Sequence, residues 1–149
     1  MKIKVNLNGL NKIFEIEPGD YIVDTLRSNG ILSVKRGCET SSCGACTILL
    51  EGKPVPSCAT LAVKTDGLKL TTVEGIREDI DLMAEYFGEE GADQCGFCNP
   101  SLALTAYSLK KLYKDPSDDT IKDYLVGNLC RCTGYEAQLK AIKKYLGAK

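Results

Sequence analysis

The first half of the chain shows the alternation of apolar and polar side chains that is typical of β-strands. In residues 2–7 every second position is apolar, and the Asn8-Gly9 pair that follows favours a tight hairpin turn. Phe14 and Ile16 continue the alternation on a returning strand. The chain is therefore predicted to begin with a β-hairpin.

Three further strands are predicted in this half. They cover residues 47–50, a short return over 54–57 and a last strand over 68–73, whereas residues 24–27 begin a short helix. Residues 37–46 show no periodicity and are rich in cysteine, glycine and serine, so we expect a loop there. This half is therefore mostly β-structure.

After Gly75 the apolar positions recur with the 3.6-residue period of a helix. A first helix is predicted over residues 80–87. The second is predicted to have Asn99 as its N-cap and Pro100 as its first helical residue, and to run to Tyr113.

Two more helices are predicted beyond a Pro-containing break. The third runs from Asp118 to Gly127, where glycine favours a C-terminal stop. The fourth starts with a capping box formed by Thr133 and Glu136 and reaches Leu146.

This order of elements predicts an α+β protein of two domains, a mostly β domain over residues 1–74 and a four-helix domain over residues 75–149. Domains of this size bury marginal cores unless disulfides, metals or partners reinforce them. The eight cysteines of the chain are candidates for that role.

Charge and composition exclude several classes of function. The formal net charge of −1 argues against nucleic acid or an anionic membrane as a partner, because both require a basic surface. The sequence has neither a long apolar run nor a secretory or twin-arginine signal, so we expect a cytoplasmic protein. Clustered cysteines in that compartment indicate metal more often than disulfides. The absence of histidine excludes His-ligated zinc, Rieske-type ligation and Cys-His catalysis.

Four cysteines of the first half have the spacing of a plant-type [2Fe–2S] site. Cys38-x4-Cys43-x2-Cys46 is followed, beyond a predicted hairpin, by Cys58. Zinc sites usually show two paired C-x2-4-C knuckles, which this spacing does not provide. A [2Fe–2S] cluster is therefore predicted here, and a zinc knot or a pair of disulfides fits less well.

The helical half holds the other four cysteines, as Cys95-x2-Cys98 and Cys130-x-Cys132. Cys98 and Cys132 each precede a predicted helix start, where free N–H groups and the helix dipole stabilise negative charge. On spacing alone, a four-thiolate zinc site remains an alternative to a second cluster.

With these motifs the chain resembles the small iron–sulfur subunit of the molybdenum hydroxylases, the family of xanthine dehydrogenase, aldehyde oxidase and carbon monoxide dehydrogenase. The segments that carry the resemblance follow family order along nearly the whole chain: Gly37-Cys38, Cys43-Gly44-Ala45-Cys46-Thr47, Ser57-Cys58, Thr72-Val73-Glu74-Gly75, Gln94-Cys95-Gly96-Phe97-Cys98 and Gly127-Asn128-Leu129-Cys130-Arg131-Cys132-Thr133-Gly134-Tyr135.

The resemblance implies a β-grasp, plant-type ferredoxin domain followed by a four-helix-bundle domain, each with one [2Fe–2S] cluster. It implies an electron-transfer subunit without substrate chemistry of its own. A large partner subunit would bind molybdopterin and hydroxylate a heterocycle or an aldehyde. Electrons would then pass through the helical-domain cluster and the ferredoxin-type cluster to FAD in a medium subunit, or to another acceptor. Gln94 matches the glutamine that contacts the pterin in the family.

A few positions depart from the family pattern, although none of the eight cysteines does. The family commonly has glycine at Ser41, threonine at Asn99 and glycine at Ser101. Ser41 is expected either to strain its loop or to place a hydroxyl near the cluster. Arg131, between two ligands, has two interpretations: a cation that raises the cluster's potential or contacts a partner, and an ordinary surface arginine.

Two other functions stay open at this point. A stand-alone two-cluster ferredoxin would shuttle electrons without a fixed complex, and a zinc-stabilised interaction module would carry none. Co-purifying partners distinguish the shuttle from a subunit. A visible spectrum with iron and sulfide analysis distinguishes the zinc module.

Overall fold

The computed structural model describes residues 1–148 and has the predicted α+β fold. Its first half contains one five-stranded sheet. The strands are β1 (Lys2–Leu7), β2 (Leu10–Glu15), β3 (Thr47–Leu50), β4 (Lys53–Pro56) and β5 (Lys69–Thr71). Their spatial order is β2-β1-β5-β3-β4, with β1 and β5 parallel and the other neighbours antiparallel.

The first hairpin forms as the alternation predicts. Ile3, Val5 and Leu7 of β1 are buried. Asn8 and Gly9 take left-handed backbone conformations, with φ of 53° and 86°. A two-residue turn between right-twisted strands requires this conformation, which asparagine and glycine tolerate best.

A short helix, α1 (Ile22–Ser28), packs into the core of the sheet. It begins before the predicted segment 24–27, because Ile22 and Val23 are both buried at its first turn beside Leu26. β-branched residues favour strands, so this first turn has no helical signal in the sequence.

The last strand is shorter than predicted, since β5 ends at Thr71 and does not include Val73. The backbone N–H of Thr72 donates to Asn8 Oδ1 at 2.8 Å, and Asn8 Nδ2 donates to Thr72 Oγ1 at 2.9 Å. This pair of bonds ends the strand, and a 3-10 turn (Val73–Gly75) then leads to the helices.

The second half contains the four predicted helices. They are α2 (Arg77–Glu89), α3 (Asn99–Leu112), α4 (Asp118–Leu125) and α5 (Glu136–Leu146). Their apolar faces meet in one core, in which Leu109, Ile121 and Ile142 are fully buried.

The ends of the first three of these helices differ from the prediction. Asn99 is the first residue of α3 and Cys98 its N-cap, because the Asn99 amide donates to a nearby aspartate and does not cap the helix. α2 extends beyond the predicted residues 80–87 at both ends, and α4 ends at Leu125, before Gly127.

The capping box predicted for the fourth helix is wrong. α5 begins at Glu136, and its N-cap is Tyr135, which has a φ of 67° and makes no side-chain cap. The Thr133 hydroxyl lies instead 3.2 Å from the Cys130 sulfur, as a donor, and its oxygen accepts from the backbone N–H of Tyr135 at 3.4 Å, one residue before the helix begins.

A small core joins the sheet to the helices. It consists of Leu49 on β3, Leu104 on α3 and Ile76 between the halves. The Ser108 hydroxyl on α3 also donates to the Gly52 carbonyl in the β3–β4 turn, at 3.1 Å. α3, which carries one of the cysteine pairs at its start, is therefore fixed against the sheet.

The boundary predicted between residues 74 and 75 falls in the 3-10 turn that separates β5 from α2. Whether the two halves are separate domains stays a prediction. Within residues 1–148, no helix combines the length and the apolar character needed to cross a membrane.

Candidate metal centres

The β3–β4 hairpin explains why the fourth cysteine of the first set lies so far along the chain. Thr47 pairs with Pro56, which returns Cys58 to the side of Cys46. The Ser57 hydroxyl donates to the Cys46 carbonyl at 2.6 Å and holds this return in place. Strand pairing thus brings two distant thiols together.

The loop before β3 supplies the other two thiols of this set, Cys38 and Cys43. Ser41 and Gly44 have left-handed φ values of 58° and 70°, which let the loop bend around the sulfurs. The Ser41 hydroxyl lies 3.4 Å from the Cys58 sulfur. The backbone of Ser41 is therefore unusual for a residue with a Cβ, and its hydroxyl reaches a thiol of the first set.

The second set lies where the start of α3 meets the turn between α4 and α5. The Cys132 and Cys95 sulfurs are 3.4 Å apart, and Cys130 helps to raise the pKa of the Cys98 thiol. Cys95 and Cys132 are exposed, whereas Cys98 is buried at the first turn of α3. The site therefore has an outer pair and an inner pair of thiols.

Side-chain interactions that shift thiol pKa values link Cys38 with Cys43, Cys46 with Cys58, Cys95 with Cys132, and Cys98 with Cys130. These are the four thiol pairs, and in one of them the Cys95 and Cys132 sulfurs are 3.4 Å apart. Among residues 1–148, no three cysteine, aspartate or glutamate side chains converge as the ligands of one metal ion. Tetrahedral zinc requires four ligands on one ion, whereas a [2Fe–2S] cluster has two irons with two thiolates each. Two pairs of thiols in each set are therefore compatible with a [2Fe–2S] cluster, in which each iron takes two thiolates.

In three of the four pairs, hydrogen bonds lower the pKa of one thiol, Cys38, Cys95 or Cys130, which favours its thiolate form. The backbone N–H of Cys43 is the main cause that lowers the pKa of Cys38 to about 6, whereas burial raises the pKa of Cys43. Burial also acts to raise the pKa of Cys130, but hydrogen bonds from Thr133 outweigh it and bring the pKa to about 7. Its partner Cys98 has a pKa raised to about 11, mainly by burial. N–H donors that favour thiolates also suit an anionic cluster.

The two sets of cysteines lie directly against each other. The Leu129 N–H donates to the Cys43 carbonyl at 2.9 Å, so the residue before Cys130 is bonded to a cysteine of the first set. Gly44 approaches so closely that a Cβ on it would overlap the carbonyl oxygen of Gly127. A cavity of about 480 Å³ beside this contact is lined by cysteines of both sets.

The other residues singled out in the sequence surround the second set. Gln94 and Arg131 are exposed, and Arg131 lines the cavity between the sets. The Ser101 hydroxyl donates to the Cys98 carbonyl at 2.9 Å, so this departure from the family pattern supports the first turn of α3.

Thr133 and Gln138 contact thiols, although the sequence pattern did not predict these contacts. Thr133 was assigned to a capping box, but its hydroxyl faces Cys130. Gln138 Nε2 lies 3.7 Å from the Cys98 sulfur. The sequence does contain one sign of this contact. Gln138 lies four residues before Ile142, so it is a polar residue on the apolar face of α5.

Comparison with known protein families covers both halves of the chain. Residues 5–72 match the family described as a 2Fe-2S iron-sulfur cluster binding domain, and residues 72–143 match the family described as a [2Fe-2S] binding domain. Each half therefore contains a [2Fe–2S]-binding domain, in the order expected from the sequence.

Individual relatives match over nearly the whole length. The nicotinate dehydrogenase small FeS subunit of Eubacterium barkeri is 44% identical over 136 residues, which are 89% of this chain and 87% of the relative. The xanthine dehydrogenase iron-sulfur-binding subunit of Escherichia coli is 40% identical over 138 residues, 90% of this chain and 87% of the relative. The crystal structure of quinoline 2-oxidoreductase from Pseudomonas putida 86 has a TM-score of 0.91 at 40% identity, over 98% of this chain and 93% of that chain.

The close approach of the loops predicts that Gly44→Ala destabilises the protein more than Gly96→Ala. Both glycines adjoin a cysteine of a set and have similar φ values, 70° and 73°. Left-handed strain of about 1–2 kcal/mol is common to both substitutions. Only Gly44 faces a backbone oxygen, whereas nothing lies within 4 Å of a Cβ on Gly96.

The measurement is the apparent unfolding temperature of the cluster-loaded protein. Gly44→Ala should lower it at least about twice as far as Gly96→Ala, because the overlap is relieved only if the loops separate. Equal decreases for the two variants would mean that the loops do not touch.

Proposed function

Because this chain belongs to the iron–sulfur subunits of the molybdenum hydroxylases, we propose that each of its cysteine sets holds one [2Fe–2S] cluster. The ligands of the first cluster are Cys38, Cys43, Cys46 and Cys58, and those of the second are Cys95, Cys98, Cys130 and Cys132. The donor set supports this assignment, since each site offers four thiols in two pairs with backbone N–H groups directed at sulfur. Zinc would not need this pairing.

The chain is an electron-transfer subunit of an oxidoreductase complex. When bound, the two clusters supply one-electron redox chemistry. The observation that carries the proposed relay is the hydrogen bond from the Leu129 N–H to the Cys43 carbonyl. Cys43 is a proposed ligand of the first site, and Leu129 precedes Cys130, a proposed ligand of the second site. This bond therefore holds the two sites close together.

The large, molybdopterin-binding partner is proposed to dock where the second set reaches the surface. Phe97, Leu129 and Tyr135 are large apolar residues beside this set, and each is 45–51% exposed. Such a patch next to exposed thiols suits a protein partner. Gln94 is exposed next to Cys95, which supports the proposal that its amide contacts the pterin of that partner.

Electrons are proposed to enter at the second site and to leave at the first, toward FAD in a medium subunit or another acceptor. Cys38 and Cys58 line an open, polar surface that also includes Arg36 and Glu39, which gives a second partner access to this site. Substrate hydroxylation is assigned to the large subunit, and this chain is proposed to be non-catalytic.

The proposal includes a cytoplasmic location and no nucleic-acid partner. Clustered cysteines that bind metal, and not disulfides, are typical of a reducing compartment. The net charge of −1 provides no basic surface for a phosphate backbone.

Native purification tests the assignment to a complex. The chain should co-elute with a larger, molybdenum-containing subunit and carry about four iron and four sulfide per copy. A chain that elutes alone with both clusters would support a stand-alone shuttle instead. A colourless preparation containing zinc would contradict the cluster assignment.

Ligation is tested with Cys130→Ser. The variant is expected to lose one of the two paramagnetic signals of the reduced protein and to keep the ferredoxin-type signal, because Cys130 belongs to the second set alone. Cys46→Ser is the matched variant and should remove only the other signal. If Cys130→Ser abolishes both signals or neither, the two-site assignment is wrong.

A further inference from the structure

Gln138 places a polar amide on the buried face of α5. Its side chain is 3% exposed, and the same face carries Ala141, Ile142 and Tyr145. Burying an amide is unfavourable unless it is hydrogen bonded. The partners of Gln138 therefore indicate what this side chain does.

Those partners are the inner thiol pair and its neighbour. Gln138 Nε2 donates to the Cys98 sulfur at 3.7 Å, and Gln138 Oε1 accepts from Thr133 Oγ1 at 3.1 Å. The Thr133 backbone N–H and hydroxyl lie 3.4 and 3.2 Å from the Cys130 sulfur. The hydroxyl has one proton, which serves either Gln138 or Cys130. The Gln138 amide and the Thr133 N–H remain donors to sulfur in both cases.

The outer pair has a different environment. Cys95 and Cys132 are exposed and interact with backbone N–H groups and with each other. Gln138, in contrast, lies in the protein interior, where the low local dielectric strengthens a hydrogen bond. Its donation to the buried Cys98 is therefore expected to have a large effect on the charge of that sulfur.

We propose that Gln138, supported by Thr133, raises the reduction potential of the cluster in the helical half. This rests on the proposed function, in which Cys98 and Cys130 are ligands. Uptake of one electron from the large subunit makes the thiolate sulfurs more negative, and no bond forms or breaks. N–H and O–H donors stabilise that reduced state more than the oxidised state. Gln138 is thus a positioning residue that acts through Cys98 and makes this cluster a better electron acceptor.

The test is a redox titration of the native complex, followed by the two paramagnetic signals, for wild type and Gln138→Leu. At a fixed ambient potential, Gln138→Leu should lower the reduced-to-oxidised ratio of the helical-domain cluster about three- to tenfold, where tenfold corresponds to 59 mV for one electron. The ferredoxin-type cluster should titrate as in wild type.

Thr133→Val should lower the potential of the helical-domain cluster as well. Thr133→Ser, which keeps the hydroxyl, should leave this potential close to that of wild type.

Thr105→Val is the matched control, because it removes a buried hydroxyl that donates to the Ser101 carbonyl and contacts no thiol. It should leave both potentials unchanged. The inference would be overturned if Gln138→Leu and Thr133→Val kept both signals and changed the reduced-to-oxidised ratio of the helical-domain cluster less than twofold. It would also be overturned if Thr105→Val shifted the potential of this cluster as far as Gln138→Leu does. If wild type lacks the second signal, the proposed function itself fails. Thr133→Val decides the question if Gln138→Leu does not fold.

Discussion

The hydrogen bond between the Leu129 N–H and the Cys43 carbonyl is the constraint on which the rest of the structure depends. It requires two backbones to meet without side chains between them, which is why Gly44 packs against the Gly127 carbonyl. It also requires the helices to hold a fixed position on the sheet, and the small core around Leu104 provides this. Electron transfer slows steeply with distance, so this contact decides whether two separate metal sites act as one relay.

Much of this arrangement could be predicted from the sequence, and the two helix caps that were predicted wrongly have a related cause. Cysteine spacing identified both sets, because chain reach around a metal site is a local property. Asn99 and Thr133 were expected to cap helices, but the first turns to an aspartate and the second to the Cys130 sulfur. Capping rules assume that such side chains accept hydrogen bonds from the free N–H groups of a helix. Here both side chains donate instead, one to a carboxylate and the other to a sulfur, because these acceptors lie nearby.

Gln138 was missed for a related reason. Periodicity identifies a helix face by its apolar positions, and one polar residue on that face does not change the predicted element. Only the folded chain shows that this position faces a buried sulfur. In the first site, the side-chain hydroxyl of Ser41 lies beside Cys58, which is more exposed than Cys98. The two sites therefore share a ligand type but differ in the hydrogen bonds around their sulfurs, which is how one chain can give two clusters different potentials.

The most direct test of the central claim is the paramagnetic resonance spectrum of the fully reduced wild-type complex. Two clusters held by loops in direct contact should give two signals that split each other by magnetic coupling, and partial reduction of only one cluster should remove the splitting. Two signals without mutual splitting would mean that the sites are not adjacent. A single signal would mean that the chain does not hold two clusters.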